Sequence, residues 1–271
     1  MNEISEFIKM MERTSSGGGG GTDWRFWSDF GNKLERRYKF DDIVDAELIK
    51  VLKEYETIRS KSNSKLSSGF TNFANTIVEC FEVPFERLKL KRSALAYIDE
   101  IVTHLLDALK INHRLITVYY MPPSLKILSD YVDEKGKKLI DDLFESDAYP
   151  ESLLALHLVN CQWAGNLTAE YNERVKQLLS SSNEPLVMQS LQYYRYDKGV
   201  PDSSTIESIA SCLDSTNADL QWNALAFFDW HIDYVRAHIP KNMLLKFLES
   251  EDEGVREKAT SIAAKLSGEN T

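Results

Sequence analysis

Apolar residues recur at helical spacing from the first residues of this chain. Ile4, Phe7, Ile8 and Met11 stand at i, i+3, i+4 and i+7, one apolar stripe on a helix. Trp24, Trp27, Phe30 and Leu34 share the next face, behind a Thr22-Asp23 N-cap. Asp41-Asp42 opens another run carrying Ile43, Leu48, Val51, Leu52 and Tyr55. Residues 60–68 are polar and serine-rich and read as a loop. The spacing predicts helix over most of 70–81, 88–109 and 111–120, with Pro84 breaking the chain between the first two. Met121-Pro122-Pro123 is the clearest stop signal and marks the internal boundary.

Helix breakers are scarce. The chain has 12 glycines and 7 prolines, and residues 17–21 alone are five consecutive glycines. Such poverty elsewhere argues for long helices and against a β-rich fold. Homopolymeric glycine is expected of an engineered linker, with a natural flexible loop as the plainer alternative. Residues 1–16 are then either a tethered peptide or a native segment. A lone helix this short is marginal in water, so it needs a surface on which to dock. Five glycines reach at most roughly 17 Å, with an r.m.s. span of roughly 12 Å, so that surface is expected near Asp23.

Beyond residue 122 the pattern repeats. Leu213-Asp214-Ser215-Thr216-Asn217 leads to Leu220 and Ala224, and Leu248-Glu249-Ser250-Glu251-Asp252 leads to Val255 and Ala259. Leu179-Ser180-Ser181-Ser182-Asn183 leads likewise to Leu186 and Ser190, and a weaker copy runs from Phe144-Glu145-Ser146-Asp147 to Ala155. The small residues Ala155, Ser190, Ala224 and Ala259 are spaced 35, 34 and 35 apart, and Gly165 and Gly199 repeat at 34. A fixed period in the thirties predicts stacked helix pairs, with the small residue letting the pair approach closely and the polar turn capping the second helix.

The stretch from Leu244 to Ala259 closely resembles HEAT and HEAT-like repeats, whose second helix opens with an acidic turn, then Val-Arg and a spaced Ala. The resemblance covers roughly residues 125–268 and is best over 179–268; Gln221 and Trp222 depart from the charged consensus. It implies an all-α protein, a right-handed α-solenoid of HEAT-like helix pairs, preceded here by an irregular helical N-terminal region. The resulting division is a short amphipathic helix at 1–16, a linker at 17–21, a helical region at 22–121 and HEAT-like repeats at 122–271. Arg256 matches the family's common arginine, whose contacts are usually structural and run between repeats.

In such arrays the second helices usually line the concave face. Leu186, Leu220, Val255, Phe227 and Ile262 are then expected in the core. Met188, Trp222 and Glu257 occupy one outward position, Gln192, Ala226 and Ser261 a second, and Tyr196, Trp230 and Lys265 a third. Exposed aromatics with methionine are typical interface anchors, so Met188, Gln192, Tyr196, Trp222 and Trp230 are the candidate partner-binding residues. Packing beneath a neighbouring helix is the structural alternative. Ile4, Phe7, Ile8 and Met11 would be the anchors of the tethered helix.

Composition narrows the function. Lys plus Arg is 32 against 42 Asp plus Glu, a net charge of −10, which disfavours nucleic acid and anionic membranes. Three widely spaced cysteines, Cys80, Cys161 and Cys212, exclude a disulfide scaffold and point to a reducing, cytoplasmic setting. No signal peptide and no membrane-length apolar run is visible. The histidines, His104, His113, His157, His231 and His238, have no His or Cys neighbour at ligand spacing; His231 and His238 are expected in capping or surface roles. No phosphate-cradling glycine loop or nucleophile elbow occurs. Arg87, Lys89, Lys91 and Arg92 form a basic cluster read as a solvated helix start. The expected function is therefore a non-catalytic adaptor or scaffold binding a peptide or protein, with no cofactor, metal or small-molecule ligand. The alternative is an acidic inhibitor or immunity-type protein that blocks a basic toxin or enzyme; a nucleic-acid-acting HEAT-like protein ranks below both.

Overall fold

The structure, a computed structural model, describes residues 46, 49–50, 53, 56–57, 95–113, 116, 124–125, 128–129, 137–161, 168–196, 201–239 and 241–267. The stripe of Ile4, Phe7, Ile8 and Met11, the glycine run, the Trp24 face, the Arg87–Arg92 cluster, Gly165 and Gly199 lie outside these residues. The chain divides into two compact units, Met1–Glu145 and Ser146–Thr271. Every described element is helical, and the protein is all-α.

In the first unit a 3-10 turn at Leu95–Tyr97 leads into α1, Ile98–Ile111. Ile98, Ile101, Leu105, Ala108 and Leu109 make its buried stripe, and Asp99 and Glu100 sit at its positive end. Asn112 is extended (φ −146°, ψ 98°) and ends the helix, so the helix expected from residue 111 onward does not begin there. Asparagine favours this exit because its short amide competes for nearby backbone groups. Helix α2, Lys138–Glu145, buries Ile140, Leu143 and Phe144.

The second unit holds α3 (Tyr149–Cys161), α4 (Thr168–Leu178), α5 (Glu184–Tyr196), α6 (Ser203–Ser211), α7 (Ala218–Trp230), α8 (Ile232–Val235), α9 (Lys241–Leu248) and α10 (Glu253–Ser267). Helices α3, α5, α7 and α10 begin 35, 34 and 35 residues apart, the spacing of the small residues in the sequence. Each packs on the next: α3 on α5, α5 on α7, α7 on α10. Helix α4 packs on both α3 and α5, and α9 on α10.

Local chemistry explains why these helices start where they do. Ser146, Ser181, Ser215 and Ser250 each accept, on Oγ, the backbone N–H two residues on, from Ala148, Asn183, Asn217 and Asp252 at 3.3, 3.1, 3.0 and 3.3 Å. This is one serine turn used four times, and it delivers the residue that precedes each helix. Asn217 then accepts from Asp219 N at 2.9 Å and Asp252 from Val255 N at 2.9 Å, satisfying helix-start donors. The first copy has Ala148 in place of Asn or Asp, and its Asp147 takes a left-handed φ of 50°. That is why its sequence signature is the weakest. Gln221 Nε2 donates to Ser215 O and Arg256 Nη1 to Ser250 O, both at 2.6 Å. Arg256 thus closes its own turn, and Gln221 does the same without charge.

Ala155, Ser190, Ala224 and Ala259 are wholly buried. Ser190 can replace alanine because its hydroxyl donates to Leu186 O at 2.8 Å within its own helix. Leu186, Leu220, Val255, Phe227 and Ile262 are all buried. One residue past each small position stand Leu156, Leu191 and Leu225, all buried, and then Thr260, exposed. Four past it stand Val159, Tyr194 and Phe228, all buried, and then Ala263, half-buried. Large apolar groups therefore fill the contact from α3 to α7, and α10 does not offer that contact onward.

Candidate functional site

The second helices α5, α7 and α10 meet along a seam, and Trp222 lies across it. The Arg195 guanidinium of α5 sits 5.1 Å from the indole centroid, and Lys258 Nζ of α10 sits 5.9 Å from it. A Cβ at Gly254 would stand 3.3 Å from Trp222 Cδ1, so glycine at the start of α10 makes room for the ring. Two cations near one aromatic ring and a glycine beside it define a packed strut between three helices, half-buried rather than projecting.

One residue before the end of α7 the seam becomes polar. Asp229 accepts from Lys258 Nζ (2.9 Å), Ser261 Oγ (2.9 Å) and Lys265 Nζ (2.7 Å), and its backbone carbonyl accepts from Lys265 Nζ at 3.2 Å. Partial burial alone would raise its pKa; the donors from Lys265, Lys258 and Ser261 outweigh this and hold the carboxyl below its ordinary value. The next residue, Trp230, is 63% exposed, and Tyr234 on α8 is 65% exposed. Arg236 Nη2 donates to Lys265 O at 3.1 Å, tying the segment after α8 to the end of α10. His231 closes α7 from inside: its N–H donates to Phe227 O, its Nε2 lies 3.0 Å from Tyr194 O, and its ring lies 4.9 Å from that of Phe227.

Of the residues singled out from sequence, Trp230 is strongly exposed, while Met188, Gln192 and Trp222 are half-buried. Tyr196 ends α5, and its side chain lies outside the description. Ala226, expected to face outward, is buried at 2%. Its equivalent in α10, Ser261, bonds back to Asp229 of α7, which shows that this register position sits between adjoining second helices. Tyr234 was not predicted, because it lies on the short α8, an insertion that the repeat period does not contain. The only signal for it was the larger gap, 38 residues, between the starts of α6 and α9, compared with 35 between α4 and α6.

Other chemically capable residues have structural places. In the first unit Glu56 is wholly buried and accepts from Ser124 N at 3.0 Å and Ser124 Oγ at 2.8 Å, with His104 Nε2 3.0 Å from Glu56 Oε2. Serine, histidine and carboxylate meet here, but the serine hydroxyl donates to the carboxylate instead of to the imidazole, the reverse of what an activated nucleophile needs. His157 on α3 is buried, its Nε2 has no hydrogen-bond partner among the described residues, and desolvation pushes its pKa down to about 3. The Cys212 thiol is buried, free, and pushed up to about 11 by desolvation. Among the described residues no group of three His, Cys, Asp or Glu is placed to hold a metal, and no helix is long and apolar enough to cross a membrane.

No protein-family model matches the chain, and no curated protein matches it. Three crystal structures, each described as an engineered protein, are similar to it. The first is 13% identical, spans 88% of this chain and 98% of the other, and has a TM-score of 0.41. The second is 14% identical over 98% and 76%, with a TM-score of 0.46. The third is 14% identical over 99% and 98%, with a TM-score of 0.40. Overlaps this loose carry neither a function nor a partner across.

Proposed function

We propose that residues 122–271 are a HEAT-like repeat region, a right-handed α-solenoid, and that the protein is a non-catalytic adaptor or scaffold that grips a peptide or protein on its second-helix surface. The observation that carries this reading is the pair of exposed aromatics, Trp230 and Tyr234, held at the end of α7 beside the Asp229 clasp. Large exposed rings on a rigid support supply contact area at small entropic cost, which is how interface anchors work. Met188 and Gln192, half-buried on α5, would form the rim. The free, buried Cys212 fits a reducing compartment. In this reading residues 1–16 represent either such a partner or a native segment of the chain.

The test is a peptide-display selection against the full chain, with affinities of the selected peptides read by fluorescence anisotropy. Trp230→Ala should weaken them by about ten-fold or more while the thermal melt holds. Affinities unchanged in both Trp230→Ala and Tyr234→Ala would remove the site. The partner's charge separates the alternative: an acidic inhibitor should select basic targets and lose on-rate to them steeply as salt rises, whereas binding through the Trp230 anchor should not require a basic partner.

A further inference from the structure

The geometry points to a partner of defined charge at the corner between α7 and α8: a short acidic peptide segment with an apolar anchor. This rests on the binding role proposed above and adds the chemistry of the partner. Trp230 and Tyr234 are 63% and 65% exposed and lie four residues apart across the corner. Cations bracket them. Lys265 Nζ is fixed 2.7 Å from Asp229 Oδ1 and 3.2 Å from Asp229 O, on the residue just before Trp230. Arg236, two residues after Tyr234, is exposed and anchored on Lys265 O at 3.1 Å, and His238 beyond it is also exposed.

Between residues 229 and 238 the carboxylates are Asp229 and Asp233, and the exposed Glu257 lies farther along α10, one residue before Lys258. Asp229 is consumed: Lys258, Ser261 and Lys265 saturate it, and little of its side chain reaches solvent. Asp233 is exposed. Residues 229–238 with the two lysines bonded to Asp229 thus carry Lys258, Lys265 and Arg236 against Asp229 and Asp233, a net +1, in a chain whose net charge is −10. A local excess of cations against the sign of the whole molecule steers and orients an anionic ligand, while the rings provide the apolar contact. A basic segment would meet Arg236 and Lys265 head on. A long polyanion would extend beyond the corner into the field of the acidic chain, which favours a peptide over nucleic acid.

The experiment titrates the full chain by calorimetry at low salt with two peptides of identical apolar pattern, three copies of Glu-Leu-Leu-Glu and three copies of Lys-Leu-Leu-Lys. The acidic peptide should bind, weaken with salt, and lose about ten-fold or more in both Trp230→Ala and Arg236→Glu. Trp230→Phe should keep most of the affinity, and the melts of all variants are compared so that a fold defect is not read as lost binding. The inference falls if the acidic peptide does not bind, if the lysine peptide binds as tightly, if both substitutions leave the acidic peptide's affinity unchanged, or if oligothymidylate displaces it. Display-selected binders that need Trp230 but lack acidic residues would overturn this inference and leave the adaptor reading standing. Failure to select any binder that needs Trp230 or Tyr234 would overturn both.

Discussion

Helices α7 and α10 occupy the same place in successive repeats, yet they end up with different surfaces. Both begin after a serine turn, both bury a small residue, and both close the turn with a side chain reaching back to the serine carbonyl. On α7, Leu225 and Phe228 are buried against further structure, whereas on α10 the equivalent Thr260 and Ala263 meet solvent to differing degrees. Trp222 on α7 is held among Arg195, Gly254 and Lys258, whereas Glu257 on α10 is exposed. The repeated residues thus set the backbone and the pairing within a repeat. The variable ones decide whether another helix stacks on top and which faces remain open for a partner.

The largest test of this contrast is Phe228→Ala, which should cost about 3–5 kcal/mol in denaturant unfolding as a fully buried aromatic, while Ala263→Ser at the matching place on α10 should stay within about 0.5 kcal/mol. Equal costs at the two positions would erase the distinction. The column of His157, Gln192, Ala226 and Ser261 gives a second test. Ser261 has a polar partner, but the His157 imidazole, pushed down to about 3, stays neutral in the fold while the unfolded chain takes up a proton near pH 6.5. The unfolded state binds more protons between those values, so stability is complete above about pH 6.5 and falls as pH drops toward 3, by on the order of a few kcal/mol. His157→Leu should flatten that slope in denaturant titrations run from neutral to acidic pH, and an unchanged slope would place the acid sensitivity elsewhere.

A smaller difference separates Trp222 from Glu257. Trp222→Ala should cost about 1–3 kcal/mol because the half-buried ring spans three helices, whereas Glu257→Ala should be near neutral. A Trp222→Ala protein that melts like the parent would mean that the ring contributes to the surface alone. Smallest of all is the shared turn. Ser215→Ala and Ser250→Ala should each cost about 0.5–1.5 kcal/mol, and by similar amounts, since the same hydroxyl-to-amide bond is lost in each. Amide exchange at Asn217 and Asp252 would show the loss locally.

The repeat period, the starts of the second helices and the buried small residues were all legible in the sequence, because turn chemistry and side-chain volume act over a few residues. Ser146, Ser181, Ser215 and Ser250 dictate their turns locally, and Ala or Ser at the small position is a volume that a neighbouring helix needs. The fate of the outward positions was not legible. Whether position 226 faces solvent or a neighbouring helix depends on how closely α5, α7 and α10 approach, and that distance is set by residues far apart in the chain, among them Gly254 beside Trp222. Trp230 could be named from its register, but Tyr234 could not, since α8 breaks the period. The Asp229 clasp and the Glu56–Ser124–His104 cluster likewise join residues separated by 29 to 68 positions. By itself, then, the sequence determined an all-helical chain with a repeat of about 35 residues. Only the tertiary structure decided which aromatics became struts and which remained exposed, because burial is a property of the packed neighbour and not of the residue.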